Sequence, residues 1–185
     1  MKSIFDKVNI ILVGTTHPGN IGAAARAMKT MNVHNLRLVN PLNFPSAEAS
    51  ARAAGADDVL AECQQFSSLE DAVKDCDLVI GTSARVRGIP WPMILPRECA
   101  KKISEGTYSS VSIVFGKESS GLSNEELQLC NMVLKIPTNS EYNSLNLAAA
   151  VQIICYEICL LITDLDSIEY KPNEPRANAL LHNMA

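Results

Sequence analysis

Four short runs, Val8–Gly14 (VNIILVG), Asp77–Gly81 (DLVIG), Ile113–Phe115 (IVF) and Met132–Ile136 (MVLKI), are almost wholly apolar and show no alternation. A strand with one wet face alternates apolar and polar residues. A strand without alternation must be covered on both faces, the situation of an inner strand in a parallel sheet. Polar, turn-rich residues follow these runs, and helical patterns come next. After Val8–Gly14 comes THPGN and then IGAAARAMKTMN, where Ile21, Ala24, Ala25, Met28 and Met31 recur with helical spacing and Asn20 stands where an N-cap would. Asn35–Asn40 reads as a second strand, Ala47–Ala54 as a small-residue helix closed by Gly55, and Val59–Leu60 as a short strand. Ser68–Lys74 begins at a Ser N-cap, Arg85–Pro96 reads as a loop, Arg97–Glu105 as a helix, and Ser123 and Ser144 as helix starts.

The order is therefore a repeated strand–helix alternation. The fold class is α/β, with a mainly parallel sheet flanked by helices. Hydrophobic residues make up 47% of the 185 residues but aromatics only 5%, so Ala, Leu, Ile and Val build the core. Residues 1–163 are expected to form one domain. Residues 164–185, polar with two prolines, read as a tail or linker leading to an absent C-terminal extension.

Composition also excludes several classes. A net charge of −4 creates no global basic field, so RNA binding requires a local basic patch or a second copy of the chain. The six cysteines contain no CxxC pair and suit buried thiols in a reducing cytoplasm. The three histidines are scattered, so no metal is expected. Asn146, Gln152 and Glu157 interrupt the apolar run Leu145–Ile162, which reads as a core or interface helix rather than a membrane span.

Three segments carry candidate chemistry. In PGNIGAAAR, Pro18–Arg26, a strand, a glycine loop and a helix N-terminus make an anion site, while Gly14, Gly19 and Gly22 have the wrong spacing for a dinucleotide fingerprint. Arg26 is a lone cation on an otherwise packing helix. In GKESSGL, Gly116–Leu122, a P-loop is ruled out, because Val111 stands where its first glycine belongs and Glu118 where its Ser or Thr belongs. Two glycines there permit close backbone approach to a ligand, and Glu118 has three readings: a ligand contact, a pair with Lys117, or a helix N-terminus. In IPTNSEYNSLNLAAAVQ, Ile136–Gln152, amide and hydroxyl side chains precede an apolar helix, more than capping by Ser144 requires.

Together NIGAAARAM, IVFGKESSGLSNEEL and IPTNSEYNSLNLAAAVQIICYE resemble the SpoU (TrmH) class of SPOUT RNA 2′-O-ribose methyltransferases. NPLNFP, GTSAR and PWPMILPRE point within it to the members acting on cytidine or uridine at nucleotide 32 of the tRNA anticodon loop. The resemblance spans roughly Val8 to Ile162. It implies a C-terminal trefoil knot, S-adenosylmethionine as methyl donor, tRNA as substrate and a cytoplasmic homodimer. It places cofactor contacts at Thr82, Ser83, Ala84, Gly116, Ile136, Asn143, Ser144 and Leu145. Asn20 and Arg26, Glu118, and Ser144 and Asn146 match its three catalytic motifs. Lys117 departs from the usual Arg and cannot reproduce a bidentate fork.

The reaction such a family performs removes a proton from a ribose 2′-OH in line with a methyl donor. The resemblance gives the activating role to Arg26 with an RNA phosphate. Since a guanidinium stays protonated, two versions stand: a literal base, or a cation that stabilises the developing alkoxide and orients the phosphate. Lys29, Arg85 and Arg87 are the RNA-contact candidates, and Trp91 is either a stacking platform or a packing residue. The alternatives are a non-catalytic RNA- or cofactor-binding relative, or a 2′-O-methyltransferase for another tRNA or rRNA site.

Overall fold

All four apolar runs become strands of one sheet. A computed structural model describes residues 3–84 and 91–163. In chain order the elements are β1 (Val8–Val13), α1 (Pro18–Thr30), β2 (Asn35–Val39), α2 (Ala47–Ala53), α3 (Asp57–Ala61), β3 (Gln64–Phe66) and α4 (Leu69–Val73). There follow β4 (Leu78–Thr82), β5 (Met93–Ile94), α5 (Pro96–Glu105), β6 (Val111–Phe115), α6 (Asn124–Gln128), β7 (Met132–Leu134) and α7 (Leu147–Ile162). The seven strands pair in the order β3-β2-β1-β6-β4-β7-β5, and every pairing is parallel.

The continuous apolar character of the inner strands has the expected cause. Ile10 and Leu12 of β1 pack with Ile21, Ala24, Ala25, Met28, Val151 and Ile154 on the face carrying α1, α2, α3, α5 and α7. Ile11 and Val13 point the other way, into a smaller cluster with Leu69, Val73, Leu122 and Leu127 under α4 and α6. Cutting a fully buried side chain such as Ile113 back to Ala would cost about 2–5 kcal/mol. The alanine density of α1 has a packing reason as well. At Gly22 a Cβ would lie 2.0 Å from the carbonyl oxygen of Ala49, so α1 and α2 cross nearly backbone to backbone.

Among the described residues, one charged side chain is buried in this core, on β2. Arg37, 8% exposed, donates to both carboxylate oxygens of Asp75 (2.6 and 2.9 Å) and to the carbonyl of Ala72, tying α4 to the sheet. A charge this buried needs that bidentate partner.

Several local expectations are corrected. Val59–Leu60 belongs to the helix α3, whose first turn carries Asp57 and Asp58, the charges that suit a helix N-terminus. β3 and β5 were not expected; each is a short edge strand. The α2 helix ends with Ala54 in the left-handed region (φ 45°), and Gly55 (φ 95°) follows it. Pro96 is the first residue of α5, where its missing N–H costs nothing. Arg85, Arg87 and the tail at 164–185 lie outside the described residues.

Candidate active site

In a parallel sheet the loops that leave the carboxyl ends of the strands gather at one edge, and ligands bind there. Here the loops after β4, β6 and β7 meet around a cleft of about 200 Å³. Its floor is apolar, made by Phe115, Leu134, Ile136, Leu147 and Ala150. Its rim is polar, made by Thr82, Ser83, Thr138, Asn143, Ser144 and the 116–121 turn. All eight positions expected to contact a cofactor (Thr82, Ser83, Ala84, Gly116, Ile136, Asn143, Ser144 and Leu145) line this cleft.

Local bonding explains why these residues stay in place. Thr82 Oγ1 donates to the carbonyl of Val114 (2.9 Å), and the Ser83 N–H donates to the carbonyl of Leu134 (3.0 Å). Those bonds lace the end of β4 to both neighbours. Gly116 is required by space: a Cβ there would lie 2.1 Å from the carbonyl carbon of Gly121 and 2.2 Å from the nitrogen of Leu122. The turn closes through the Gly121 N–H donating to the Lys117 carbonyl (2.8 Å), with Gly121 at φ 69°. The stem of Lys117 lies over Gly14 (φ 60°), where a Cβ would come within 2.7 Å of its Cε.

Glu118 leans out of the cleft wall toward the mouth of α1. Its carboxylate accepts from the Thr16 N–H (3.1 Å), the Thr16 hydroxyl (3.1 Å), the His17 N–H (3.3 Å) and Asn20 Nδ2 (2.9 Å). Of the three readings left open by the sequence, the structure shows the one at a helix N-terminus, and Glu118 also lines the cleft. His17, the N-cap, makes no side-chain cap bond, so Glu118 supplies the negative charge the helix dipole favours. Burial pushes this carboxyl up, but the bonds from Asn20 and from the Thr16 and His17 backbone outweigh it and hold the group below the ordinary carboxylate range. With these donors already taking its lone pairs, Glu118 is a clamp between the cleft wall and α1.

The network continues through Asn20. Its Oδ1 accepts from Asn146 Nδ2 (3.0 Å), and Asn146 Oδ1 accepts from the N–H groups of Ala148 (2.9 Å) and Ala149 (3.3 Å). This corrects two sequence expectations. Asn146, not Ser144, caps α7, and Ser144 instead lines the cleft in the exposed loop before it. His17, not Asn20, caps α1, because Pro18 starts the helix and leaves Asn20 inside its first turn. Glu118, Asn20 and Asn146 thus join the cleft wall to the N-termini of two helices.

Arg26 lies about 9 Å further along α1 than Asn20 at the usual rise per residue. It is exposed and takes no hydrogen bond or ion pair among the described residues, so its guanidinium is available to an external anion. Lys29 is not brought to the site. It sits near the other end of α1, and its ammonium is bound to Asp58 (2.8 Å) and the Gly55 carbonyl (2.9 Å). Trp91 is half-buried, and its indole N–H donates to the carbonyl of Cys130 (3.1 Å), a packing role at the sheet edge.

Sequence reasoning missed Phe115, Leu134, Thr138, Leu147 and Ala150 in the cleft, and Thr16 on Glu118. The strand-end residues carry no mark beyond hydrophobicity. Leu147 and Ala150 share one helix face, a signal that becomes readable once Asn146 is known to be the cap. Among the described residues, no group of three or more His, Cys, Asp or Glu side chains is placed to hold a metal, and no helix is long and apolar enough to cross a membrane.

A parallel α/β sheet with a cleft at its carboxyl edge is the frame on which the three motifs meet, and comparison with known proteins shows the family. The profile of the SpoU rRNA Methylase family matches residues 7–156, and the chain belongs to that family. Among curated relatives, it is 51% identical over 173 residues to the tRNA (cytidine/uridine-2′-O-)-methyltransferase TrmJ of Photorhabdus laumondii, covering 92% of this chain and 72% of that one. Among solved structures, a probable methylase family protein from Haemophilus influenzae superposes with a TM-score of 0.83 at 42% identity, covering 96% of this chain and 75% of that one. TrmJ from Z. mobilis gives 0.79 at 37% identity, covering 90% and 72%. The chain spans 60% of the length of one such curated relative and 72% of another.

Proposed function

We propose that this domain catalyses S-adenosylmethionine-dependent 2′-O-methylation of tRNA, at the cytidine or uridine of position 32 in the anticodon loop. The observation that carries the reading is the cleft itself: every position expected to hold the cofactor lines it, and Glu118 and Asn20 tie the 116–121 turn of its rim to the helix bearing a free Arg26. The donor set fits the cofactor. The apolar floor of Phe115, Leu134, Ile136 and Leu147 suits an adenine ring, and the Thr, Ser and Asn rim suits ribose hydroxyls and a carboxylate. Gly116 allows the backbone to approach closely. When bound, S-adenosylmethionine supplies the methyl group.

The chain's own residues do the rest. Thr82 and Ser83 fix the end of β4, and Asn143, Ser144 and Leu145 form the opposite wall. Arg26 holds a substrate phosphate and stabilises the alkoxide as the 2′-OH loses its proton, with the phosphate as proton acceptor. Glu118, Asn20 and Asn146 keep α1 in register with the cleft, so that Arg26 meets the reacting oxygen.

The strand order, with β4 between β6 and β7, and the crowding of their loops at one cleft support a trefoil knot in the C-terminal part. The exposed Tyr156 and Leu161 of α7 support a homodimer. All six cysteines are unpaired thiols, which suits a cytoplasmic enzyme. We read residues 1–163 as the methyltransferase domain and 164–185 as a polar tail or linker.

The test is methyl transfer from labelled S-adenosylmethionine to tRNA, with the wild type and Arg26→Ala side by side. The wild type should label tRNA. Arg26→Ala should keep cofactor binding and lose at least about 100-fold in rate, the scale of one transition-state donor. Near wild-type labelling by the variant removes Arg26 from the mechanism, and an unlabelled tRNA with the wild type removes the function.

A further inference from the structure

Tyr142 is 80% exposed, the highest value among the exposed large hydrophobic side chains of the described residues. It lies in the loop joining β7 to α7, beside the cleft but not in it: the next three residues, Asn143, Ser144 and Leu145, form the cleft wall, whereas Tyr142 does not line it. An aromatic ring exposed at the lip of a site offers an apolar face with a polar tip to whatever enters that site.

The loop contains a local turn and ends at a helix cap. Asn139 Oδ1 accepts from the Glu141 N–H (2.9 Å), and Asn146 closes the far side as the cap of α7. The ring is therefore presented between a local turn and a helix cap. The chemistry of the loop selects the partner. From Pro137 to Asn146 it contains no Lys or Arg, and its one charge is the carboxylate of Glu141, next to Tyr142. Such a surface repels phosphates. It has a neutral π-face to offer, and an unpaired nucleobase presents a matching one.

We propose that Tyr142 stacks on a base of the single-stranded RNA loop whose ribose enters the cleft, and so sets which nucleotide is presented for methylation. The proposal rests on the function proposed above. Phosphate contact falls to cations elsewhere, and Tyr142 recognises the unstacked base.

The test uses the full chain with unmodified tRNA transcripts, comparing the wild type, Tyr142→Phe and Tyr142→Ala. Base–aromatic stacking lost on truncation corresponds to roughly a 5- to 150-fold weaker RNA affinity. Tyr142→Ala should raise KM for tRNA by that factor, leave the melting temperature and cofactor dissociation constant unchanged, and be rescued by Tyr142→Phe to within about two-fold. A 2-aminopurine placed in the anticodon loop should be quenched by the wild type and by Tyr142→Phe, but not by Tyr142→Ala. An active wild type with an unchanged Tyr142→Ala overturns the stacking role and leaves the proposed function standing. A loss shared equally by Tyr142→Phe, or a parallel loss of cofactor affinity, also overturns it. A wild type inert on tRNA overturns both readings.

Discussion

Glu118→Gln tests the clamp between the cleft and α1. The substitution keeps the shape and one carbonyl oxygen but removes the charge and turns an NH2 toward donors. Those donors are the N–H groups of Thr16 and His17, the Thr16 hydroxyl and Asn20 Nδ2. A charge at a helix N-terminus is worth about 0.3–1 kcal/mol, and a hydrogen bond to a charged group about 1.5–3 kcal/mol. Glu118 is only partly buried and Gln retains some bonding, so we discount the sum to about 1–2 kcal/mol. For a domain of this size that is a fall of roughly 2–8 °C in melting temperature at pH 7.

The pH dependence gives a second readout. The folded-state pKa of Glu118 lies below its unfolded-state value. The contribution is therefore complete above the ordinary Glu value of about 4.3 and disappears as pH falls through the folded value. Differential scanning calorimetry should show a gap between wild type and variant that is open at pH 7 and closes in acid. Activity should fall by up to about 100-fold through misplacement of Arg26, with cofactor affinity less affected. An unchanged melting temperature at pH 7, or a gap that persists unchanged in acid, would refute the clamp.

Gly116→Ala drives a Cβ into backbone atoms of Gly121 and Leu122, so the turn must open; isothermal titration should show S-adenosylmethionine binding weakened at least about ten-fold, at the scale of an overpacking strain of 1–3 kcal/mol. Burial pushes the Cys99, Cys130 and Cys155 thiols up to about 12, the neighbouring Glu126 adding to it at Cys130 and Cys159 at Cys155. Mass spectrometry after iodoacetamide treatment of native protein at pH 7.5 should therefore find these three unmodified while the half-buried Cys76 reacts. Early labelling of Cys155 would show that the α1–α7 layer opens. Arg26→Ala, being exposed and unpaired among the described residues, should leave the melting temperature within about 1 °C of wild type.

The strands that cross the core were legible because burial on both faces writes itself into the chain as an unbroken apolar run. β1, β4 and β6 carry that mark. β3, with Gln64 and Gln65 exposed, and the two-residue β5 lack it, since an edge strand needs little hydrophobicity to pair. Val59 and Leu60 misled because two apolar residues have no period; the acids before them were the better signal, marking a helix start. The cap of α7 was undecidable locally, as Ser144 and Asn146 are both good capping residues. The choice is made by Asn20, which is 126 positions away in the chain and bonds Asn146. Glu118 shows the same limit: its type and turn were visible, but its partners at Thr16 and Asn20 come from packing β6 beside β1.

The most direct test of the account is to map ribose methylation in tRNA transcripts incubated with the purified protein and S-adenosylmethionine. The expected result is a single new 2′-O-methyl group on the cytidine or uridine at position 32, absent when Arg26→Ala replaces the wild type. Methylation at another nucleotide, methylation of a base rather than a ribose, or an equal yield from Arg26→Ala would contradict it.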